Sequence, residues 1–332
     1  MMKAANRLDT VQEYYFSKKL REVRALSTEG KPIINMGIGS PDLQPPAKVI
    51  KAIQQAVVIE GAHKYQSYQG LPEFREAVSD FYKNKYNVEV SSDHEILPLM
   101  GSKEGILHIS MAFLNKGDKV LIPNPGYPTY TSVTNLVEAT PIFYELTSEN
   151  NWEPDFEELE KEDVSNIKMM WVNYPHMPTG AKATQALFEK LIAFGKKHQI
   201  LIINDNPYSF ILNNNPLSIL SVKGAKETAL ELNSLSKSFN MAGWRVGMLL
   251  GASSFLKEVL KVKTQMDSGM FYGIQQGAIS ALKVSSSWFS EMNEVYKNRR
   301  KLVWKIADTL GCSYDKNTTG MFVWAKTPQG VK

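Results

Sequence analysis

The chain has 332 residues, 43% of them apolar and 22% charged, with a formal net charge of +4. That is enough chain to bury a sizeable core, near the length at which one domain divides into two. The lysines are spread rather than massed, which argues against nucleic acid as the main partner, and no run approaches the roughly 20 apolar residues of a membrane span. The first residues, Met1 to Arg7, lead into no apolar stretch, so no secretory leader is expected. A single cysteine, Cys312, leaves no intrachain disulfide to form and fits a reducing cytoplasm.

In chain order, residues 9–29 read as a helix with Val11, Tyr14, Tyr15, Leu20 and Val23 as apolar positions. Gly37-Ile38-Gly39-Ser40-Pro41 follows, a glycine pair suited either to close backbone approach to a ligand or to a plain turn. Residues 46–60 and 72–86 are amphipathic helices, and the polar aromatic loop between them carries Tyr65 and Tyr68. From residue 95 short apolar runs alternate with helices, the pattern of a parallel α/β sheet. The runs are 95–100, 119–123, 167–172, 200–203, 229–232 and 246–250, with a helix over 184–198. Helices then fill 255–310, a long one near 287–310, and a strand is expected over 320–326.

Ligands in an open α/β sheet sit beyond the carboxyl ends of the strands. Gly101, Tyr127, Asn173, Asp205 and Lys237 each lie just past such an end. Gly101-Ser102-Lys103 opens a helix whose free N–H groups and positive dipole end suit a phosphate. It lacks the spacing of a Walker loop. In Ser234-Leu235-Ser236-Lys237, followed by Arg245, one lysine stands among hydroxyls and a guanidinium. A confined lysine can form a Schiff base, while hydroxyls and arginine hold phosphate. These are the parts needed for a phosphorylated aldehyde, and pyridoxal 5'-phosphate is the biological one. An aspartate suits its pyridinium nitrogen, a tyrosine its phenolic oxygen, and an aromatic ring its face.

From about residue 33 onward the motifs, in their order, resemble the class I aminotransferases of the aspartate aminotransferase fold. Gly101-Ser102-Lys103-Glu104-Gly105-Ile106 and Asn124-Pro125-Gly126-Tyr127-Pro128 look most like the LL-diaminopimelate aminotransferase branch. The resemblance implies an α/β three-layer sandwich with a mainly parallel sheet over 45–284. A smaller α+β domain from 1–44 and 285–332 would accompany it. It implies Lys237 as Schiff-base lysine and proton shuttle, Asp205 on the ring nitrogen, Tyr208 on the phenolic oxygen and Tyr127 on the ring. Ser102, Lys103, Ser234, Ser236 and Arg245 would hold the phosphate, with Asn173 beside the cofactor. Tyr65 would reach a second copy's phosphate in a cytoplasmic homodimer, and Ile38-Gly39 would lie against the substrate carboxylate. No metal is implied. The implied reaction is transamination between an amino acid and a 2-oxo acid, the alternatives being β-elimination or C–S cleavage on the same cofactor, or a catalytically weak cofactor-binding protein.

Two positions depart from the family pattern. Met177 stands where Asn-Pro-Thr-Gly begins, and a thioether accepts weakly and cannot donate. The family also continues for several dozen residues past the strand expected at 320–325, carrying an arginine for the substrate α-carboxylate. Residues 1–332 do not include that stretch, so the smaller domain is expected to be incomplete at its carboxyl end.

Overall fold

The computed structural model describes residues 2–11, 13, 15–34, 39–161 and 163–331. Seven strands form the main sheet: β1 (Ile96–Leu99), β2 (Lys119–Asn124), β3 (Thr140–Glu145), β4 (Ile167–Val172), β5 (Leu201–Asp205), β6 (Ala229–Ser234) and β7 (Gly247–Leu250). Their spatial order is β1-β7-β6-β5-β4-β2-β3. β2 through β6 pair in parallel, whereas β7 runs antiparallel to both β6 and β1. β1 therefore points the same way as the parallel set. The carboxyl ends of β1, β2, β4, β5 and β6 share one edge, as the sequence pattern implies.

The helices are α1 (Tyr15–Thr28), α2 (Ala47–Ala56), α3 (Pro72–Tyr86), α4 (Ser102–Phe113), α5 (Pro128–Leu136), α6 (Phe156–Leu159), α7 (Gln185–His198), α8 (Leu235–Ser238), α9 (Ser253–Lys263), α10 (Tyr272–Leu282) and α11 (Ser286–Thr309). Near-continuous apolar strands are what a sheet covered on both faces requires. β4 shows the consequence. Met169 and Trp171 join a core with Ile106, Ile109 and Val259 of α4 and α9. Met170 and Val172 join the opposite core with Phe74, Val78 and Leu191 of α3 and α7. Side chains two apart share a face of a strand, so the alternation yields three layers with the sheet in the middle.

Local signals set the helix ends. Pro72 sits in the first turn of α3, where no N–H is needed, and Asn87 closes it in the left-handed region at φ 55°. Thr184 caps α7 by accepting the Leu187 N–H at 3.1 Å. At the carboxyl end of the chain, Phe289 of α11 stacks on Phe210 with ring centroids 4.7 Å apart. Arg299 of the same helix pairs with Asp42 through two hydrogen bonds of 2.7 and 3.1 Å.

Three expectations change. α1 begins at Tyr15, six residues later than the apolar pattern suggests, after a short 3-10 turn over Asn6–Leu8. The strand expected over 320–326 shrinks to β9 (Ala325–Lys326), which pairs with β8 (Ser313–Tyr314). Its first half is used otherwise: the Gly320 N–H bonds the Ile211 carbonyl at 2.8 Å, and Gly320 itself lies at φ 74°. β3, outside the elements read from the sequence, is an edge strand with Pro141 in it, where a missing ladder donor is tolerated. Among the described residues no helix is long and apolar enough to cross a membrane.

Candidate active site at the carboxyl edge of the sheet

Ser234 ends β6 and starts the single turn α8. Its Oγ accepts the Ser236 N–H at 3.0 Å and lies 2.8 Å from Ser236 Oγ. Both serines are buried. This capping turn swings Lys237 out over the edge, where its Nζ donates to the Gly39 carbonyl at 3.1 Å. Burial, aided by the Arg245 charge, lowers the Lys237 pKa from its ordinary value. A less firmly protonated lysine is a better nucleophile and proton carrier.

The phosphate-type cradle lies beside it. Gly101 precedes α4 at φ 93°, and a Cβ there would fall 2.1 Å from Arg245 Nη2. Gly247 packs as closely, since its Cβ would meet the Ser102 backbone nitrogen at 2.5 Å. The two glycines thus let the start of α4, the end of β6 and Arg245 converge. Arg245 is anchored through Nη1 to the Ala242 carbonyl at 2.9 Å. Lys103 lies at this end of α4, its pKa lowered first by burial and then by Arg245.

Asp205 ends β5 and is 5% exposed. Its Oδ2 accepts the Tyr130 hydroxyl at 2.9 Å, while Oδ1 is buried without a hydrogen-bond partner. Burial pushes this carboxyl up to about 7, with the Tyr130 hydrogen bond pulling the other way. An unpaired buried carboxylate oxygen is costly. A protonated ring nitrogen is the kind of donor that would satisfy it.

Three residues on, Tyr208 is buried and meets Phe322 edge-on at 5.9 Å. Tyr127 caps α5 and meets Tyr130 edge-on at 5.6 Å. Asn173, buried past β4, donates to the Asp205 carbonyl and accepts the Met177 N–H at 2.9 Å. It thereby braces the Asp205 turn. Met177 packs half-buried against the core. Tyr65 is 91% exposed, and Ile38 lies outside the described residues. Glu104, His108 and Asp267 bring possible metal-ligating atoms within 4.8 Å of one another. Asp267, however, is already neutralised by Lys263 Nζ at 2.9 Å.

The structure therefore gathers Lys237, Gly39, Ser234, Ser236, Ser102, Gly101 and Arg245 around one point and sets Asp205 with its Asn173 brace nearby. Sequence reasoning missed Tyr130 and Phe322. Tyr130 carries a signal in hindsight, standing one short step past Tyr127 in a helix's first turn. Phe322 carries none, because its place follows from a loop closing over the edge. These residues fit pyridoxal phosphate: a desolvated lysine, a glycine-lined cradle with a guanidinium, and a buried carboxylate oxygen lacking a donor.

The family model described as aminotransferase class I and II matches residues 31–330. LL-diaminopimelate aminotransferase of Halothermothrix orenii is 38% identical over 99% of this chain and 85% of its own length. That of Aquifex aeolicus is 36% identical over 99% and 86%. Among solved structures, apo-BacF from Bacillus subtilis superposes with a TM-score of 0.96 at 33% identity, covering all of this chain and 85% of the other.

Proposed function

The chain belongs to the class I and II aminotransferases, and we propose that its amino donor is LL-diaminopimelate, the compound in the names of its Halothermothrix and Aquifex relatives. With its family it is a pyridoxal-phosphate-dependent transferase that moves an amino group from an amino acid to a 2-oxo acid. Bound pyridoxal phosphate supplies an electron sink that makes the α-proton of an attached amino acid labile.

The chain's own residues do the rest. Lys237, desolvated beside Arg245, would hold the cofactor through its aldehyde carbon and would move the proton at the substrate α-carbon. Asp205 holds a proton on the ring nitrogen, and the Asn173 brace fixes the turn that presents it. Tyr208 serves the phenolic oxygen and Tyr127 the ring face. The N–H groups of Ser102 and Lys103, the hydroxyls of Ser234 and Ser236, and Arg245 take the phosphate. Gly39, whose carbonyl accepts Lys237 Nζ, would lie against the substrate carboxylate. Tyr65, almost wholly exposed, serves the phosphate of a second copy in a homodimer with shared sites, and a single cysteine suits a cytoplasmic setting. The same reading divides the chain into a large body over 45–284 and a smaller one from 1–44 and 285–332.

The observation that carries this reading is Asp205 Oδ1, buried and unpaired at the strand edge that also presents Lys237. The test is a single-turnover titration of the cofactor-loaded protein with LL-diaminopimelate, glutamate, aspartate and alanine, followed in the visible spectrum. Conversion to the pyridoxamine form by LL-diaminopimelate at the lowest concentration supports the donor assignment. Preference for another amino acid overturns it. β-Elimination is tested with an amino acid that carries a leaving group on Cβ, such as cysteine: hydrogen sulfide, ammonia and pyruvate released without conversion to the pyridoxamine form would mark it.

A further inference from the structure

We infer that Tyr130 is a positioning residue for Asp205, the group through which the site holds a proton on the cofactor ring. The inference rests on the pyridoxal-phosphate reading and goes beyond the residues that touch the cofactor.

Tyr130 is fully buried in the first turn of α5. Its hydroxyl is the hydrogen-bond donor to the Asp205 side chain, at 2.9 Å on Oδ2. A carboxylate with a donor on one oxygen turns the other in a fixed direction, and here that other oxygen, Oδ1, is left unpaired. The hydroxyl itself cannot wander. The Tyr130 ring stacks on Trp171 of β4 with centroids 4.9 Å apart and planes 6° from parallel. Trp171 is in turn wholly buried between strand and helix. On its other side Tyr130 meets Tyr127 edge-on, so one ring supports both the carboxylate and the aromatic group proposed for the ring face. Asn173 fixes the backbone of Asp205 and Tyr130 fixes its carboxylate. The two together leave that side chain one orientation.

The hydrogen bond also acts on charge. It favours the ionised carboxylate against the burial that opposes it. Removing the hydroxyl while keeping the ring leaves a more easily protonated Asp205 that holds the ring proton less well.

The experiment measures equilibrium dissociation constants for pyridoxal phosphate and for its 1-deaza analogue, in which a C–H replaces the ring nitrogen. Wild type, Tyr130→Phe and Asp205→Asn are compared, with melting temperatures as a folding control. Wild type should prefer the natural cofactor, and Tyr130→Phe should reduce that preference about tenfold or more, as a hydrogen bond to a charged group warrants. Its affinity for the analogue should be nearly unchanged. The double variant should add nothing to Asp205→Asn. With amino acid substrate, kcat should fall in Tyr130→Phe while KM holds. Equal weakening of both cofactors by Tyr130→Phe would make Tyr130 a packing residue and overturn the inference. Failure of wild type to bind either cofactor would instead overturn the reading on which it rests.

Discussion

Lys237 and Gly39, 198 residues apart, meet at the carboxyl edge of the sheet, Nζ to carbonyl at 3.1 Å. The glycine is needed for more than that bond. A Cβ on Gly39 would lie 2.8 Å from Phe322 Cζ, and Phe322 rests edge-on against Tyr208. Gly39→Ala therefore shifts Phe322 and, through it, the substrate side of the site. Misplacement on the scale of 1 Å in such a site costs about tenfold to a hundredfold. We expect a rise of that size in KM for the amino acid and a melting temperature within a few degrees of wild type, read by steady-state kinetics and calorimetry. Unchanged KM would show that Phe322 yields freely.

Gly101 supports the opposite wall. At φ 93°, with Arg245 Nη2 only 2.1 Å from where a Cβ would stand, alanine strains the backbone and displaces the guanidinium together. The strain alone costs about 1 kcal/mol or more. Gly101→Ala should lower the melting temperature and weaken pyridoxal phosphate by at least tenfold. With Arg245 on the phosphate, as proposed, added inorganic phosphate should compete less well in the variant than in wild type. Equal competition would place Arg245 outside the phosphate site.

Asp205 should cost the cofactor-free fold stability. Its native pKa stands at about 7 against an ordinary 3.8. A carboxyl raised in this way binds more protons folded than unfolded, so its contribution falls as pH climbs from the unfolded to the folded pKa and is flat above. The gap corresponds to up to ~4 kcal/mol. Cofactor-free Asp205→Asn should thus melt higher than wild type at pH 8, with the difference vanishing near pH 4, although it turns over poorly. A variant no more stable at pH 8 would mean that Asp205 finds a partner in the cofactor-free protein.

The parallel core and the loop–strand boundaries at Gly101, Tyr127, Asn173, Asp205 and Lys237 were legible because buried strands read as short apolar runs. Each of these proposed site residues lies at, or within three residues of, the end of one such run. The edge strand β3 was not, since Pro141 and half-exposed neighbours erase the pattern. The segment from Gly320 was misread because apolar residues there serve loop contacts, Phe322 over Tyr208 among them, rather than a ladder. Tyr130 stands in the first turn after Tyr127, but its partner is not readable from that position. Its role comes from a hydrogen bond across 75 residues, which no local pattern records.

Sharing of sites between two copies has its own test. Tyr65 is 91% exposed. Lys237→Ala and Tyr65→Ala proteins, each impaired alone, should regain activity when unfolded and refolded together, because a mixed dimer contains one site with both residues intact. Activity no greater than the average of the two parents would argue that Tyr65 serves no partner.

The central claim, that Lys237 holds pyridoxal phosphate at this edge, is tested most directly by adding the cofactor to wild type and to Lys237→Ala and recording the visible spectrum before and after borohydride reduction. Wild type should show a bound-cofactor band that shifts with amino acid, and a reduced cofactor mapped by mass spectrometry to Lys237. The variant should show neither. A band of equal strength in both proteins, or a reduced adduct on another lysine, would contradict it.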